Sequence, residues 1–364
     1  MNTILTTTLV VAGMCTIFAL LLTIADKYLN DYGEVKMIIN DEKEYIVEGG
    51  DNLLSTLRNE KIFIPSACGG KGSCGYCKVQ VHEGGGPVLA TEKPWLTKEE
   101  LEKDYRLSCQ CKVKEDIKIE IPEELFNVKE YQAKVVGIEQ MTDKIKKFRI
   151  EVPEGETIKF KPGQYVQIKA PAYEGNDEEV YRAYSIASSI RDERHIELLI
   201  GYTGGICTTY MHKFVKEGEP IEFNGPYGDF YYQDEDSDIV MVAAGTGFAP
   251  IRSILYHMRD NDIKRKARFY FGAKTPEDLF LLDEMKMFEE ELYDFKFMPT
   301  LSRVTEEMNW EGDQGRVTNS IEKYLDENGN YSAYLCGNPK MIESIVVALK
   351  DKNVPEEKIY YDEF

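Results

Sequence analysis

The run Ser66-Ala67-Cys68-Gly69-Gly70-Lys71-Gly72-Ser73-Cys74-Gly75-Tyr76-Cys77 constrains this chain more than any other stretch. Three thiols in C-x5-C-x2-C spacing are interleaved with glycines, and Cys109 and Cys111 follow downstream. Thiolates grip soft metal centres, and glycines let backbone N–H groups turn inward toward the sulfides of a small cluster. The spacing predicts a [2Fe-2S] cluster on Cys68, Cys74, Cys77 and one later cysteine. A zinc ribbon pairs two C-x2-C knuckles, whereas only Cys74 and Cys77 have that spacing here. A disulfide framework and ordinary buried thiols are the remaining rivals. Spacing leaves the fourth ligand open, because on a strand Cys109 and Cys111 point the same way. Cys15, Cys207 and Cys336 lack ligand spacing, and Cys15 reads as a plain apolar residue of a helix.

A chain of 364 residues is long enough for two or three domains. Its formal charge of -20 excludes a nucleic-acid role, since no basic stripe is present to neutralise phosphates. Such acidity serves solubility and can orient a basic electron-transfer partner. Asn2 to Ala25 contains no charged residue. A bilayer core takes about 20 mainly apolar helical residues, so this segment is expected to be a single transmembrane helix. A cleaved secretory signal is the rival, but no Lys or Arg precedes the apolar stretch and no small-x-small site closes it. Lys27 and Lys36 lie on its C-terminal side, which places the soluble part on the cytoplasmic face of the cell (inner) membrane.

The expected architecture is α+β and α/β multidomain. Residues 1–34 form the transmembrane anchor and linker. Residues 35–128 read as short period-two strands with a helix near Asn52 to Arg58, a β-grasp-like module carrying the cysteines. Residues 129–233 hold several short strands punctuated by Pro and Gly, which suggests an antiparallel β-barrel. Residues 234–364 alternate buried strands such as Asp238–Ala244 with helices, one of them expected from Pro250 to about Met258, a doubly wound α/β pattern.

Within the barrel, Arg182-Ala183-Tyr184-Ser185 combines a bidentate pyrophosphate binder, an aromatic ring for stacking and a hydroxyl for a ring nitrogen. An ordinary strand with an exposed Arg is the bland alternative. Gly204-Gly205-Ile206-Cys207-Thr208 offers a small-residue turn whose amides can complete a phosphate cradle. In the last region, Gly245-Thr246-Gly247-Phe248-Ala249-Pro250 and Leu335-Cys336-Gly337-Asn338-Pro339 each join a strand to a helix, and both turns are expected at the carboxyl edge of the sheet where ligands bind. Either turn alone is a weak signal.

Taken in order, the cysteine loop, Arg-x-Tyr-Ser, the glycine turn, Gly225-Pro226-Tyr227-Gly228, Gly-Thr-Gly-Phe-Ala-Pro and Cys-Gly-x-Pro resemble the ferredoxin-NAD(P)+ reductase superfamily with a fused plant-type ferredoxin. With the apolar segment in front, the chain resembles most closely the family of F subunits of sodium-translocating NADH:quinone oxidoreductases. That resemblance implies Cys109 as fourth cluster ligand beside Cys68, Cys74 and Cys77. It implies FAD held by Arg182, Tyr184, Ser185, Gly205 and Thr208, with Ser185 near the flavin N5. NADH, rather than NADPH, would be taken at Gly245, Thr246, Gly247, Pro250, Gly337 and Pro339, with Cys336 close to the nicotinamide. Phe364 would be the C-terminal aromatic covering the flavin. Ser302-Arg303 leaves room for a 2'-phosphate. Two connections, after Ala170-Pro171-Ala172 and before the glycine turn, are shorter here than in that family.

The function implied is a membrane-anchored NADH dehydrogenase subunit, carrying electrons from NADH to FAD to [2Fe-2S] to other membrane subunits and finally quinone, with sodium transport in the complex. The alternative is a reductase component feeding an oxygenase or other soluble acceptor.

Overall fold

Val35, Met37 and Ile39 are buried and alternate with half-buried Lys36 and Ile38, the signature of a strand with one face on a core. This strand, β1 (Glu34–Ile39), opens the first folded module in a computed structural model that describes residues 2–29 and 32–363, with side chains for all of these except 2–5, 22–29 and 127. The chain divides into two units, Met1–Asn127 and Val128–Phe364.

In the first unit β1 and β2 (Lys43–Glu48) form a hairpin, followed by helix α2 (Leu53–Asn59), β3 (Lys78–Glu83), the short helix α3 (Lys98–Glu102), β4 (Tyr105–Leu107) and β5 (Ile117–Glu120). The sheet order is β2-β1-β5-β3-β4, with β1 and β5 parallel and the remaining pairs antiparallel, which is the expected mixed sheet. The Asn52 side chain starts α2 by accepting the Ser55 N–H at 2.9 Å, and Leu53, Leu54 and Leu57 face the core. Leu125 and Phe126, at the end of this module, pack against its core, with Lys43 Nζ 3.6 Å above the Phe126 ring. Apolar side chains at a module's exit are better buried than left in solvent.

Helix α1 (Asn2–Leu29) precedes the sheet. Its described side chains, 6–21, are all exposed. Among the described residues, no helix is long and apolar enough to cross a membrane.

The second unit begins with six antiparallel strands, β6 (Lys129–Gln140), β7 (Ile145–Glu151), β8 (Tyr165–Ala170), β9 (Val180–Ser185), β10 (His195–Gly201) and β11 (Pro220–Tyr227), in the order β10-β7-β6-β11-β8-β9. A bridge between Ile186 and Leu198 brings the two edges together, so the sheet curls into a barrel around Phe148, Val166, Ile168, Leu198 and Phe223. The four-residue helix α4 (Ile206–Thr209) lies between β10 and β11.

A parallel sheet follows, built from β12 (Asp238–Ala244), β13 (Lys266–Ala273), β14 (Asp294–Leu301), β15 (Asp313–Gln314), β16 (Tyr331–Gly337) and β17 (Ile359–Glu363) in the order β15-β14-β13-β12-β16-β17. Helices α5 (Phe248–Asp260), α6 (Leu282–Glu291), α7 (Val317–Tyr324) and α8 (Pro339–Asp351) cover it. Ile239, Met241 and Ala243 share a core with α5 and α6, while Val240 and Val242 share one with α7 and α8. Successive residues of β12 thus face opposite helix layers, which makes the sheet doubly wound. Helix α5 starts two residues before the expected Pro250 and ends two after Met258, because Gly247 rather than Ala249 stands at its N-cap.

Candidate functional site

The cysteine loop is shaped by four left-handed glycines, Gly69, Gly70, Gly72 and Gly75, a conformation that side-chain-bearing residues rarely adopt. Its thiols come in twos. The Cys74 thiol donates to the Cys68 sulfur at 3.3 Å, and the Cys77 thiol donates to Cys109. The bond from Cys74, helped by the Ser73 and Lys71 amides, lowers Cys68 to about 4. The bond from Cys77, helped by Gln110 and the Gly72 amide, lowers Cys109 to about 7. The donor thiols Cys74 and Cys77 are pushed up in return.

Among the described residues, no three His, Cys, Asp or Glu side chains are grouped to hold a single metal ion. Two pairs are what a dinuclear cluster uses, two thiolates on each iron. A second observation fits the same group. Ser108 Oγ is buried beside Cys77 and finds no partner at hydrogen-bond geometry among the described residues, yet its nearness favours the Cys77 thiolate.

Cys109 and Cys111 do not share a strand face as expected. Residues Ser108 to Gln110 form a turn after β4, with the Gln110 and Cys111 amides both donating to Leu107 O. The turn aims Cys109 at Cys77, whereas Cys111 is buried with its thiol 3.6 Å from Gly85 O. Beneath the loop lies an ion pair that no sequence motif announces. Arg106 donates to both carboxylate oxygens of Glu92, at 2.8 and 2.6 Å, and to the Gly85, Gly86 and Pro87 carbonyls, while Glu92 also accepts the Leu89 and Leu107 amides. Both side chains are at most 5% exposed. Burial raises the Glu92 pKa, but these bonds outweigh it and hold the carboxyl below its ordinary value.

In the barrel, β9 carries Arg182 and Tyr184 on one face and Ser185 on the other. All three are half-buried, and Arg182 Nη1 donates to Tyr181 O at 2.7 Å. The glycine turn reaches this strand through Cys207. Burial raises Tyr184 well above the ordinary tyrosine value, with Cys207 adding to the rise. Burial likewise raises Cys207 to about 11, opposed by a bond from the Tyr184 hydroxyl. Gly205 precedes α4, and the Thr208 hydroxyl lies 3.1 Å from Gly205 O and 3.2 Å from the Thr203 hydroxyl. Arg182, Tyr184, Cys207 and Thr208 therefore lie in one group.

The second group sits where the parallel sheet reverses its order, between β12 and β16. Gly247 is packed so closely on Cys336 that an added Cβ would come within 2.2 Å of the Cys336 carbonyl oxygen. Thr246 touches Gly201 at the end of β10, so this turn joins the sheet's carboxyl edge to the barrel. The N-terminus of α5 at Gly247 has no side-chain cap, whereas α8 is capped by Asn338, whose side chain accepts the Met341 N–H at 3.1 Å. A 3-10 turn over Gly245–Gly247 runs straight into α5, with the Phe248 N–H bonded back to Gly245 O and Thr246 O, and the dipole at this helix start favours an anion. Cys336 is fully buried, which pushes its thiol well up. Gly337 is buried at the end of β16, Gly245 and Pro339 are exposed, and Pro250 is buried in the first turn of α5. Arg303 is exposed just beyond β14. Phe364 lies outside the described residues.

Sequence reasoning missed the clamp between barrel and sheet. Arg252 of α5, 4% exposed, donates to Glu197 of β10 at 2.6 Å, to both Glu284 carboxylate oxygens on α6 at 2.6 and 3.0 Å, and to Ala187 O at 2.9 Å.

Three family models match in series: the 2Fe-2S iron-sulfur cluster binding domain over residues 37–114, the oxidoreductase FAD-binding domain over 132–232, and the oxidoreductase NAD-binding domain over 241–346. The chain is 35% identical to the F subunit of the Na(+)-translocating NADH-quinone reductase of Idiomarina loihiensis, covering 97% of this chain and 98% of that one. The chain belongs to this family of F subunits. Its counterpart in Neisseria meningitidis is 34% identical over 96% of both chains. The first of these alignments runs over 400 positions against 364 residues here, so that relative carries residues this chain lacks. Among solved structures, the Amycolatopsis cytochrome P450 reductase GcoB (TM-score 0.72, 24% identical, 91% of this chain and 98% of that one) and the ferredoxin reductase in carbazole 1,9a-dioxygenase (TM-score 0.70, 22% identical, the same coverage) share the fold. The chain is accordingly an oxidoreductase with [2Fe-2S], FAD and NADH as its redox groups.

Proposed function

We infer that this chain is the electron-entry subunit of an NADH:quinone oxidoreductase, taking electrons from NADH and passing them by FAD and a [2Fe-2S] cluster toward a membrane acceptor and ultimately quinone. The observation that carries the reading is the 35% identity to an F subunit across nearly the whole of both chains. Bound FAD accepts a hydride's two electrons and can return them singly, and a [2Fe-2S] cluster carries one at a time. The chain's task is then placement, and no general acid or base is called for.

Cys68, Cys74, Cys77 and Cys109 hold the cluster in this reading, supported by their two-by-two pairing. Arg182 binds the flavin pyrophosphate, Tyr184 stacks on the ring, Ser185 lies near its N5, and Gly205 with Thr208 closes over the phosphates. Cys207 backs Tyr184 and fixes its tilt. The uncapped start of α5 at Gly245 to Gly247 takes the nicotinamide nucleotide, with Gly337 and Pro339 at the facing turn, Cys336 beside the nicotinamide and Phe364 over the flavin. The Arg252 clamp keeps these two groups of residues in fixed register. The modules fall at 35–128, 129–233 and 234–364, behind an N-terminal segment of 1–34.

Residues 2–25 contain no charge, and Leu9, Met14, Ile17 and Phe18 each expose more than 60% of their surface. Burial in lipid would satisfy that surface, so the segment anchors the chain in the inner membrane with the modules in the cytoplasm, and the other subunits of the complex, whose relatives are named for sodium translocation, receive the electrons. The oxygenase-reductase alternative rests on fold likeness alone. Capture of the full-length chain from native membranes in mild detergent tests the reading. Multi-span subunits should co-purify, and recovery of the chain alone or with a soluble oxygenase would overturn it.

A further inference from the structure

Ser108 stands immediately before Cys109 and is fully buried. Its backbone is committed, since its N–H donates to Cys77 O at 2.8 Å and its carbonyl accepts the Leu54 N–H at 3.1 Å. Its hydroxyl is not, because Oγ is buried and meets no partner at hydrogen-bond geometry. A buried hydroxyl left unmet is costly, and alanine at the same position would avoid that cost. The chain keeps a polar group there that the protonated thiols around it do not satisfy.

The surroundings say what that acceptor is. Ser108 lies beside Cys77 and precedes Cys109, the two thiols that pair across the loop. While Cys77 keeps its proton the sulfur is a poor acceptor. Once both thiols are ionised by iron, the sulfurs become anionic acceptors, and a hydroxyl hydrogen rotates freely to meet one. A neighbouring donor already has this arrangement. Gln110 Nε2 lies 3.6 Å from the Cys109 sulfur, and the Thr91 hydroxyl donates to Gln110 Oε1 at 3.0 Å, which turns the amide N–H groups toward the sulfur.

We propose that Ser108 is a positioning residue of the [2Fe-2S] cluster, donating an O–H···S hydrogen bond to the sulfur of Cys77 and thereby raising the cluster's reduction potential. The proposal rests on the ligand set given above. Reduction adds one electron to the cluster and no bond is made or broken. The hydroxyl keeps its proton, and its bond strengthens as negative charge builds on the sulfurs, so the reduced state gains more than the oxidised.

The test uses the full-length protein with its FAD and cluster in place. In Ser108→Ala, the paramagnetic signal of the reduced cluster should persist while its midpoint moves down. The expected shift corresponds to about a tenfold weaker equilibrium for accepting the electron, about 59 mV for a one-electron couple. Ser108→Thr keeps the hydroxyl and Ser108→Val keeps the same shape without it. The Val protein should lie below the Thr protein in potential, and this comparison decides the matter if the Ala variant loses its cluster. Equal potentials in Thr and Val would overturn the proposal, as would an unshifted Ala variant. A wild-type protein that shows no [2Fe-2S] signal on reduction would instead overturn the ligand set.

Discussion

In the first unit, the residues that would hold the redox group lie in one glycine-rich loop and one following turn, and they act as direct ligands. In the second unit, they come from β9, the turn before α4, the start of α5 and the end of β16, and they act through shape, hydrogen bonds and helix-end charge. The buried ion pairs follow the same division. Glu92 and Arg106 are 14 residues apart and pin the local loop, while Arg252 reaches partners 55 and 32 residues away and locks two sheets together. Local gripping makes the first unit's chemistry depend on single residues. Assembled gripping makes the second unit's chemistry depend on how its parts are held.

The largest test of that contrast is Cys74→Ala. Losing one thiolate of a pair should abolish the visible and paramagnetic signals of the cluster completely, while NADH still reduces the FAD at its normal rate in stopped-flow absorbance. A slowed flavin reduction would mean that the two units are chemically coupled beyond electron transfer. The reciprocal test is Arg252→Met. It strands Glu284, 16% exposed, and leaves Glu197, 13% exposed, with only the longer pair to Arg149 at 3.4 Å. Removing one partner from a buried ion network costs about 3–5 kcal/mol, so the second unit's thermal midpoint should fall by roughly 10 °C while the cluster's absorbance per chain is kept. A midpoint unchanged by this substitution would show that the barrel and the parallel sheet hold their register without the clamp.

A smaller effect is expected where only one contact of many is lost. Tyr184→Ala should weaken FAD retention about tenfold, about 1.4 kcal/mol, measured as flavin released on gel filtration or by fluorescence titration. Unchanged flavin content would remove Tyr184 from the site.

The same contrast governs what could be read from the chain before its fold. Cys68, Cys74 and Cys77 were legible because a loop carries its chemistry in contiguous spacing. Arg182, Tyr184 and the turn at Gly245 were legible as motifs, and the sheet order that brings that turn beside Cys336 follows from alternating strands and helices. The choice of Cys109 over Cys111 was not legible from spacing, because it depends on a turn at Ser108 to Gln110 where strand periodicity predicts none. The Arg252 clamp was invisible for a different reason. Its carboxylates come from β10 and α6, and nothing local in either segment marks Glu197 or Glu284 among the chain's many acidic residues. The start of α5 falls two residues before the expected Pro250, since the helix begins at Phe248 and carries the proline in its buried first turn.

The smallest effect is set by pH, and it too belongs to the second unit. His257 of α5 and His212 in the turn before β11 are half-buried, and burial lowers both below the ordinary histidine value of 6.5. At His257 the attraction of Asp260 and Asp234 opposes that fall, and at His212 the bond to Ile200 O does, but burial wins in each. The folded state therefore binds these protons less readily than the unfolded chain. Stability is complete above pH 6.5 and declines as pH falls below it, because the unfolded state gains protons first, until the folded-state pKa is passed and the penalty levels off. Between about pH 7.5 and 5.5 the thermal midpoint of the second unit, followed by flavin release, should drop in the wild type and drop less in His257→Gln. The Tyr232 ring, 4.9 Å from the imidazole, and Asn261 Nδ2, 3.1 Å from its Nδ1, keep contacts that glutamine can partly replace, so the variant isolates the proton from the packing. Parallel curves for the two proteins would mean that the acid response of this unit is carried by other groups.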